Sequence, residues 1–281
     1  MHPPLNRRCF VNLPYSWLRR GFLERFCQEG LQPEIGLDGD VLGKTARRDF
    51  QAAADRLAAA GLACTQHAPF TDLFPGSSSA PQRAHARQRL CQALELVPIF
   101  GPRAVICHLG TRGLHPGLPA TDWLGYSLEL WQEMLAATEP SGVPIMLENT
   151  YEPDGRYHRA VFEAIASPRL GFCLDVGHAL AMANRPPAAW LAELAPWLGH
   201  LHLHDNHGSR DEHLAIGRGL IDFPDLFRRL AGWPRPLGLT LEPHTEPDLW
   251  QSLTTLAAMP EFAALLATPE PSTPTSSPTR P

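Results

Sequence analysis

The stretch Gly171-Phe-Cys-Leu-Asp175-Val-Gly-His178 is a short apolar run that ends in a carboxylate and, three residues later, an imidazole. Apolar residues of this kind fit a buried parallel strand, which places Asp175 where the strand stops and the chain turns. Both side chains are good ligands for zinc and manganese, so they could hold the same or neighbouring divalent cations. The competing reading is that Asp175 caps the next helix and His178 is an ordinary packed side chain. Repetition favours a site. The ends of the other late strands carry His67, His108, Glu148, a histidine on the seventh strand and Glu242, and a loop adds Asp211-Glu-His213. So many carboxylates and imidazoles could not share a small space without cations to neutralise and order them. One ion needs roughly three or four protein ligands, so the set suffices for two or three ions bridged by shared carboxylates.

The elements that would position these residues alternate along the chain. Strands are expected at Cys9–Leu13, Pro33–Leu37, Leu62–His67, Ala104–His108, Pro144–Glu148, Gly171–Asp175, His200–His204 and Leu237–Leu241. The second is the weakest, because it is short and carries Glu34 and a glycine. Helices are expected at Leu18–Gln28, Asp49–Ala60, Gln82–Leu96, Asp122–Ala137, Tyr157–Ala166, Ala188–Leu198, Pro224–Leu230 and Asp248–Leu265. Eight strands each followed by a helix, with short connections, predict an α/β fold of the (β/α)8 TIM-barrel type, in which strand ends converge on one active face. A doubly wound sheet is the main competitor, but a glycine-rich phosphate fingerprint is lacking. A single domain is expected over residues 1–265, followed by a Pro/Ser/Thr-rich disordered tail over 266–281.

The chain has 281 residues, 44% hydrophobic content and a net charge of -5, enough for a substantial core and without an electrostatic footprint for nucleic acid. Its six cysteines are scattered with no Cys-x-x-Cys pair, which fits a reducing cytoplasm. No signal-like or membrane-spanning run is visible, so a cytoplasmic protein is expected.

Leu147-Glu148-Asn149-Thr150, Cys173-Leu-Asp175-Val-Gly-His178 and Asp211-Glu-His213-Leu-Ala-Ile-Gly-Arg-Gly219 resemble the zinc-binding motifs of the endonuclease IV branch (AP endonuclease family 2) of the xylose isomerase-like TIM barrels. Gln66-His67-Ala-Pro-Phe70, Cys107-His108-Leu-Gly110 and Leu241-Glu242 resemble that branch's remaining motifs. The resemblance runs from the third strand to the eighth. It implies up to three zinc ions, or Mn or Mg instead, held by His67, His108, Glu148, Asp175, His178, a strand-seven histidine, Asp211, His213 and Glu242. On the seventh strand His200, His202 and His204 share a face. The family pattern puts the ligand three residues before an Asp, so Asp205 selects His202, with His204 as the fallback.

The resemblance implies a metal-dependent hydrolase of phosphoesters, with Glu148 bridging ions and positioning the attacking water. The related single-metal sugar and sugar-phosphate isomerases and epimerases hold their ion with residues matching Glu148, Asp175, His202 and Glu242. There Glu148 and Glu242 would act as paired acid and base. A non-catalytic metal-binding barrel is a third reading, opposed by the glycines Gly110, Gly113, Gly117 and Gly208, which suggest loops shaped around a cavity. The expected partner is a small phosphorylated or sugar-containing substrate, or DNA with an abasic site. For DNA, Phe70 could serve as a wedge, although a core aromatic is the favoured reading, and Arg19, Arg20, Arg47 and Arg48 could form a rim or simply solvated faces.

Overall fold

The computed structural model describes residues 5–37, 39–111 and 120–267. Eight parallel strands close a barrel in chain order: β1 (Phe10–Pro14), β2 (Gln32–Gly36), β3 (Thr65–His67), β4 (Val105–His108), β5 (Ile145–Glu148), β6 (Leu170–Asp175), β7 (Leu198–Leu203) and β8 (Gly238–Leu241). Pairing of Phe10 with Thr240 and Val11 with Leu241 joins β8 to β1 and leaves no edge. The expected TIM barrel is therefore the fold, with strand ends trimmed or shifted by one to three residues.

Two apolar clusters follow from the two-residue period of a strand. Val105, Cys107, Leu147, Phe172, Leu174, Leu201, Leu203 and Leu241 point outward and join the main core with the surrounding helices. Inside the barrel a much smaller cluster of Ala104, Ile106 and Cys173, with Met146 against it, forms an apolar plug. The same inward face carries His108 and Glu148 two residues on from Ile106 and Met146. The remaining interior is polar, and Glu34, Thr65, His200, His202 and Thr240 are all buried there.

Two expected helices are broken. The helix foreseen over 18–28 is split at Gly21, whose φ of 127° no helical residue adopts, and regular helix resumes at Leu23–Glu29. The closing helix foreseen over 248–265 is two helices, Glu246–Ala257 and Pro260–Leu266. Pro260 lacks the amide hydrogen that a continuous helix needs, so it opens a new one instead. All six cysteines are free thiols. No helix among the described residues is long and apolar enough to cross a membrane. The tail from Thr268 onward, and Gly113 and Gly117, lie outside the described residues.

Candidate metal centre

The strand ends, the helix after β6 and the loop after β7 bring all nine sequence-selected residues to one mouth. Glu148, at the end of β5, is the hub. Its Oε2 lies 3.1 Å from His67 Nε2 and 3.3 Å from His108 Nε2, and its Oε1 lies 3.0 Å from His178 Nδ1. His202 Nδ1 lies 3.1 Å from Glu242 Oε1, 3.6 Å from Glu148 Oε2 and 3.7 Å from Asp175 Oδ2. On the other side His178 Nε2 approaches Asp211 Oδ2 at 3.3 Å, and His213 Nε2 reaches the same oxygen at 3.1 Å. His67, Glu148 and His202 form one compact group of possible donors, Glu148, Asp175 and His178 a second, and His178, Asp211 and His213 a third.

Whether this set suits a cation is tested by its hydrogen bonds. His202 Nδ1 stands among three carboxylates and hydrogen-bonds to none, and His204 Nδ1 and Asp211 Oδ1 are likewise buried without a hydrogen bond among the described residues. Buried polar atoms are seldom left so. A ring nitrogen surrounded by carboxylates at 3.1 to 3.7 Å but bonded to none is placed as a ligand is placed around an ion. Imidazole nitrogens with carboxylate oxygens are the donor set of zinc and manganese.

Local structure explains the positions. Asn149 closes the gap between β5 and β6, its Oδ1 accepting from the Asp175 amide and its Nδ2 donating to the Asp175 carbonyl, both at 2.9 Å. His158 Nε2 donates to the Glu148 carbonyl at 3.1 Å. Asp175 does cap a helix, as its Oδ1 accepts the His178 amide at 2.6 Å, so the capping and site readings hold together. Gly177 is required between them, because a Cβ there would fall inside the His204 ring. The loop carrying Asp211 and His213 is folded around buried Asp205, which accepts amides from Asn206, Gly217, Gly219 and Ile221 at 2.8 to 3.1 Å. His213 sits at φ 51°, a strained conformation for a histidine.

Electrostatics in the mouth are those of interleaved charges. Burial alone would lift the pKa of Glu148 and Asp175, but His108 and His202 around the first, and His178 and His204 around the second, hold both well below the usual carboxylate range. Burial likewise depresses His178, yet Asp175, Asp211 and Glu148 outweigh it and keep the imidazole well above its ordinary value. For His213 burial is overcome by Asp211 and Glu242, and its pKa is pushed up to about 9. His200, one rung deeper, is left to burial and falls to about 4.

Other neighbours join the nine, some foreseen and some not. His204, the fallback, lies above His202, with Nε2 3.1 Å from both Asp175 oxygens. Its ring stacks on His213 at 3.9 Å, and His213 stacks on His244 at 4.1 Å. The alternation of His200, His202 and His204 on one face of β7 is read from the sequence, but nothing in the sequence points to His244. The mouth opens into a cavity of about 420 Å³ lined by His67, His108, Glu148, His178, Asp211, His213 and Glu242 together with Phe70, Tyr151, Met182 and His244, while Asp175 and His202 lie buried beneath it. Phe70 is not a core residue as expected. It is 43% exposed, with its ring 4.6 Å from that of His108, because the His67-Ala-Pro turn carries it over the strand ends. No described lining residue is Lys or Arg. Arg19 and Arg48 flank Asp49 on solvated faces, at 3.5 and 3.9 Å.

A family model described as the xylose isomerase-like TIM barrel matches residues 29–259. The uncharacterized protein MJ1311 of Methanocaldococcus jannaschii is 30% identical over 182 residues, 58% of this chain and 58% of its own, so the chain spans under two thirds of that relative. The TTHB071 protein of Thermus thermophilus, solved after soaking with ZnCl2, is 29% identical with a TM-score of 0.74, covering 90% of this chain and 98% of that one. A D-tagatose 3-epimerase-like protein superposes with a TM-score of 0.76 at 22% identity, over 91% of this chain and 98% of its own. That structure and the sugar epimerases among the other similar ones share the fold at identities below 25%. With its closed barrel and strand-end residues, the chain belongs to the xylose isomerase-like TIM barrel family.

Proposed function

We propose that this chain is a divalent-metal enzyme that holds up to three zinc ions at the barrel mouth and hydrolyses a phosphoester in a small substrate. One observation carries the multi-ion reading: the single Glu148 carboxylate is approached by His67, His108 and His178, with Asp211 and His213 completing a further group beyond it. Glu148, Asp175, His202 and Glu242 would hold a central ion. His67 and His108 would share Glu148 with a second, and His178, Asp211 and His213 would hold a third. When bound, such ions supply Lewis acidity, lowering the pKa of water toward about 7 and offsetting charge on phosphate oxygens. Manganese or magnesium would serve the same carboxylates, though the count of imidazoles favours zinc.

The residues of the chain do the rest. Glu148 fixes the donors of two groups in one frame, and the Phe70 ring walls the cavity beside His108. A cavity of about 420 Å³ suits a small phosphorylated or sugar-containing molecule. Absence of Lys and Arg from its described lining weighs against duplex DNA with an abasic site, which would need phosphate contacts around the mouth.

A single-ion sugar or sugar-phosphate isomerase or epimerase is the second reading, and the comparisons favour it over hydrolysis. In it Glu148 and Glu242, which both face His202 Nδ1 at 3.6 and 3.1 Å, would take and return a proton at a carbon bearing a hydroxyl. His67, His108, His178, Asp211 and His213 would then have no role as ligands, and that surplus keeps hydrolysis first on geometry. Parallel assays of the zinc-loaded chain separate the two, with bis(4-nitrophenyl) phosphate on one side and a ketohexose panel read by chromatography on the other. Phosphoester cleavage without sugar interconversion is expected; epimerised sugar with inert phosphodiester would overturn the hydrolase reading.

A further inference from the structure

Beneath the mouth lies a carboxylate that the proposed chemistry does not use. Glu34 projects from β2 into the barrel and is fully buried. Every group that approaches it is a donor or a ring nitrogen. Its Oε2 accepts from Thr65 at 2.9 Å and Thr240 at 2.8 Å, and its Oε1 accepts from Asn12 Nδ2 at 3.0 Å. The remaining approach to Oε1 is made by His202 Nε2, at 3.1 Å, and His200 Nε2 stands 3.6 Å from Oε2 while 2.8 Å from the Thr240 hydroxyl. The His202 approach is close but not aligned as a hydrogen bond, so among the described residues this ring is unsatisfied on both edges.

We infer that Glu34 is a positioning residue that orients His202 for the central ion, resting on the metal-centre reading above. A buried carboxylate against Nε2 requires the proton of a neutral imidazole to sit there. That choice frees the Nδ1 lone pair toward Glu148, Asp175 and Glu242 on the opposite edge of the ring. Coupling of a carboxylate to the far nitrogen of a ligating histidine fixes tautomer and ring orientation and raises ligand basicity. Three fixed donors hold the Glu34 carboxylate so that it cannot swing away. Glu34, His200 and His202 also come close enough together to suggest an ion of their own. The hydrogen bonds argue against that, because both Glu34 oxygens are already engaged by hydroxyl and amide donors. Only the His202 contact leads out of this layer toward the mouth.

The test compares the zinc content and zinc affinity of the full-length chain with those of Glu34→Gln and Glu34→Asp, using a chromophoric chelator as competitor. Cobalt spectra of the loaded proteins and the melting temperature of the zinc-free proteins are recorded beside them. Glu34→Gln puts an amide donor among donors, and Glu34→Asp keeps the charge but withdraws it from Nε2. Each should weaken one zinc equivalent by about 10- to 100-fold and alter the cobalt spectrum, with the other equivalents unchanged. A merely structural role would lower the melting temperature and leave a folded variant with its full affinity at every ion. That result, in whichever variant folds, overturns the proposal. If the parent chain itself binds no zinc, the metal-centre reading fails first, and the positioning role falls with it.

Discussion

The polar interior of the barrel has two layers, and they differ in how completely they are satisfied. In the deep layer Asn12, Thr65, His200 and Thr240 close around Glu34, and donors meet acceptors at 2.8 to 3.0 Å. In the mouth layer His202, His204 and Asp211 leave buried atoms without hydrogen bonds while like groups crowd around them. A satisfied buried network stabilises the fold, whereas an unsatisfied one needs something else to complete it. By that measure the deep layer is complete within the protein, and the mouth is the layer that the proposed ions would complete.

Glu148→Gln should give the largest effect, because it removes the hub shared by His67, His108 and His178. Zinc content is expected to drop by at least two ions per chain, and turnover on a substrate found by the assays above should fall on the order of 10²- to 10⁴-fold. Elemental analysis and kinetics check both, and retention of full zinc and full turnover would remove the distinction between the layers. Thr65→Val probes the opposite layer. Loss of one donor to the buried Glu34 carboxylate should lower stability by about 1.5 to 3 kcal/mol, measured by denaturant unfolding of zinc-free protein, with zinc content unchanged.

The two layers were unequally visible in the sequence. The mouth was legible because His67, His108, Glu148, Asp175 and Glu242 each end a short apolar run, a pattern that repeats from Gln66-His67 to Leu241-Glu242. The deep layer was not. Glu34 made β2 look weak as a strand, because its partners Asn12, Thr65, His200 and Thr240 come from strands that only barrel closure brings together. Local signals also overextended the helices: Gly21 and Pro260 each interrupt an apolar period that reads as continuous. Phe70 was misplaced because hydrophobic character alone cannot say whether an aromatic at a strand end packs beneath a loop or over the site.

Gly177→Ala addresses the steric fit of the mouth layer. Its Cβ would meet the His204 ring, so that ring or the start of the helix Val176–Ala181 must shift. The expected cost is about 1 to 3 kcal/mol in stability, with weakened zinc binding through the flanking Asp175 and His178. Calorimetry of zinc-free and zinc-loaded protein separates the two contributions. Phe70→Ala should give the smallest change. The ring is 43% exposed and meets His108 and His67 only through ring contacts, with no hydrogen bond to either, so melting temperature and zinc content should change little while KM rises a few-fold.

The most direct measurement is the metal content of the chain purified without exposure to chelator, by elemental analysis against protein concentration. About three equivalents of zinc are expected from the three groups of donors. One equivalent or fewer would contradict the multi-ion mouth and give the site to a single-ion isomerase or epimerase.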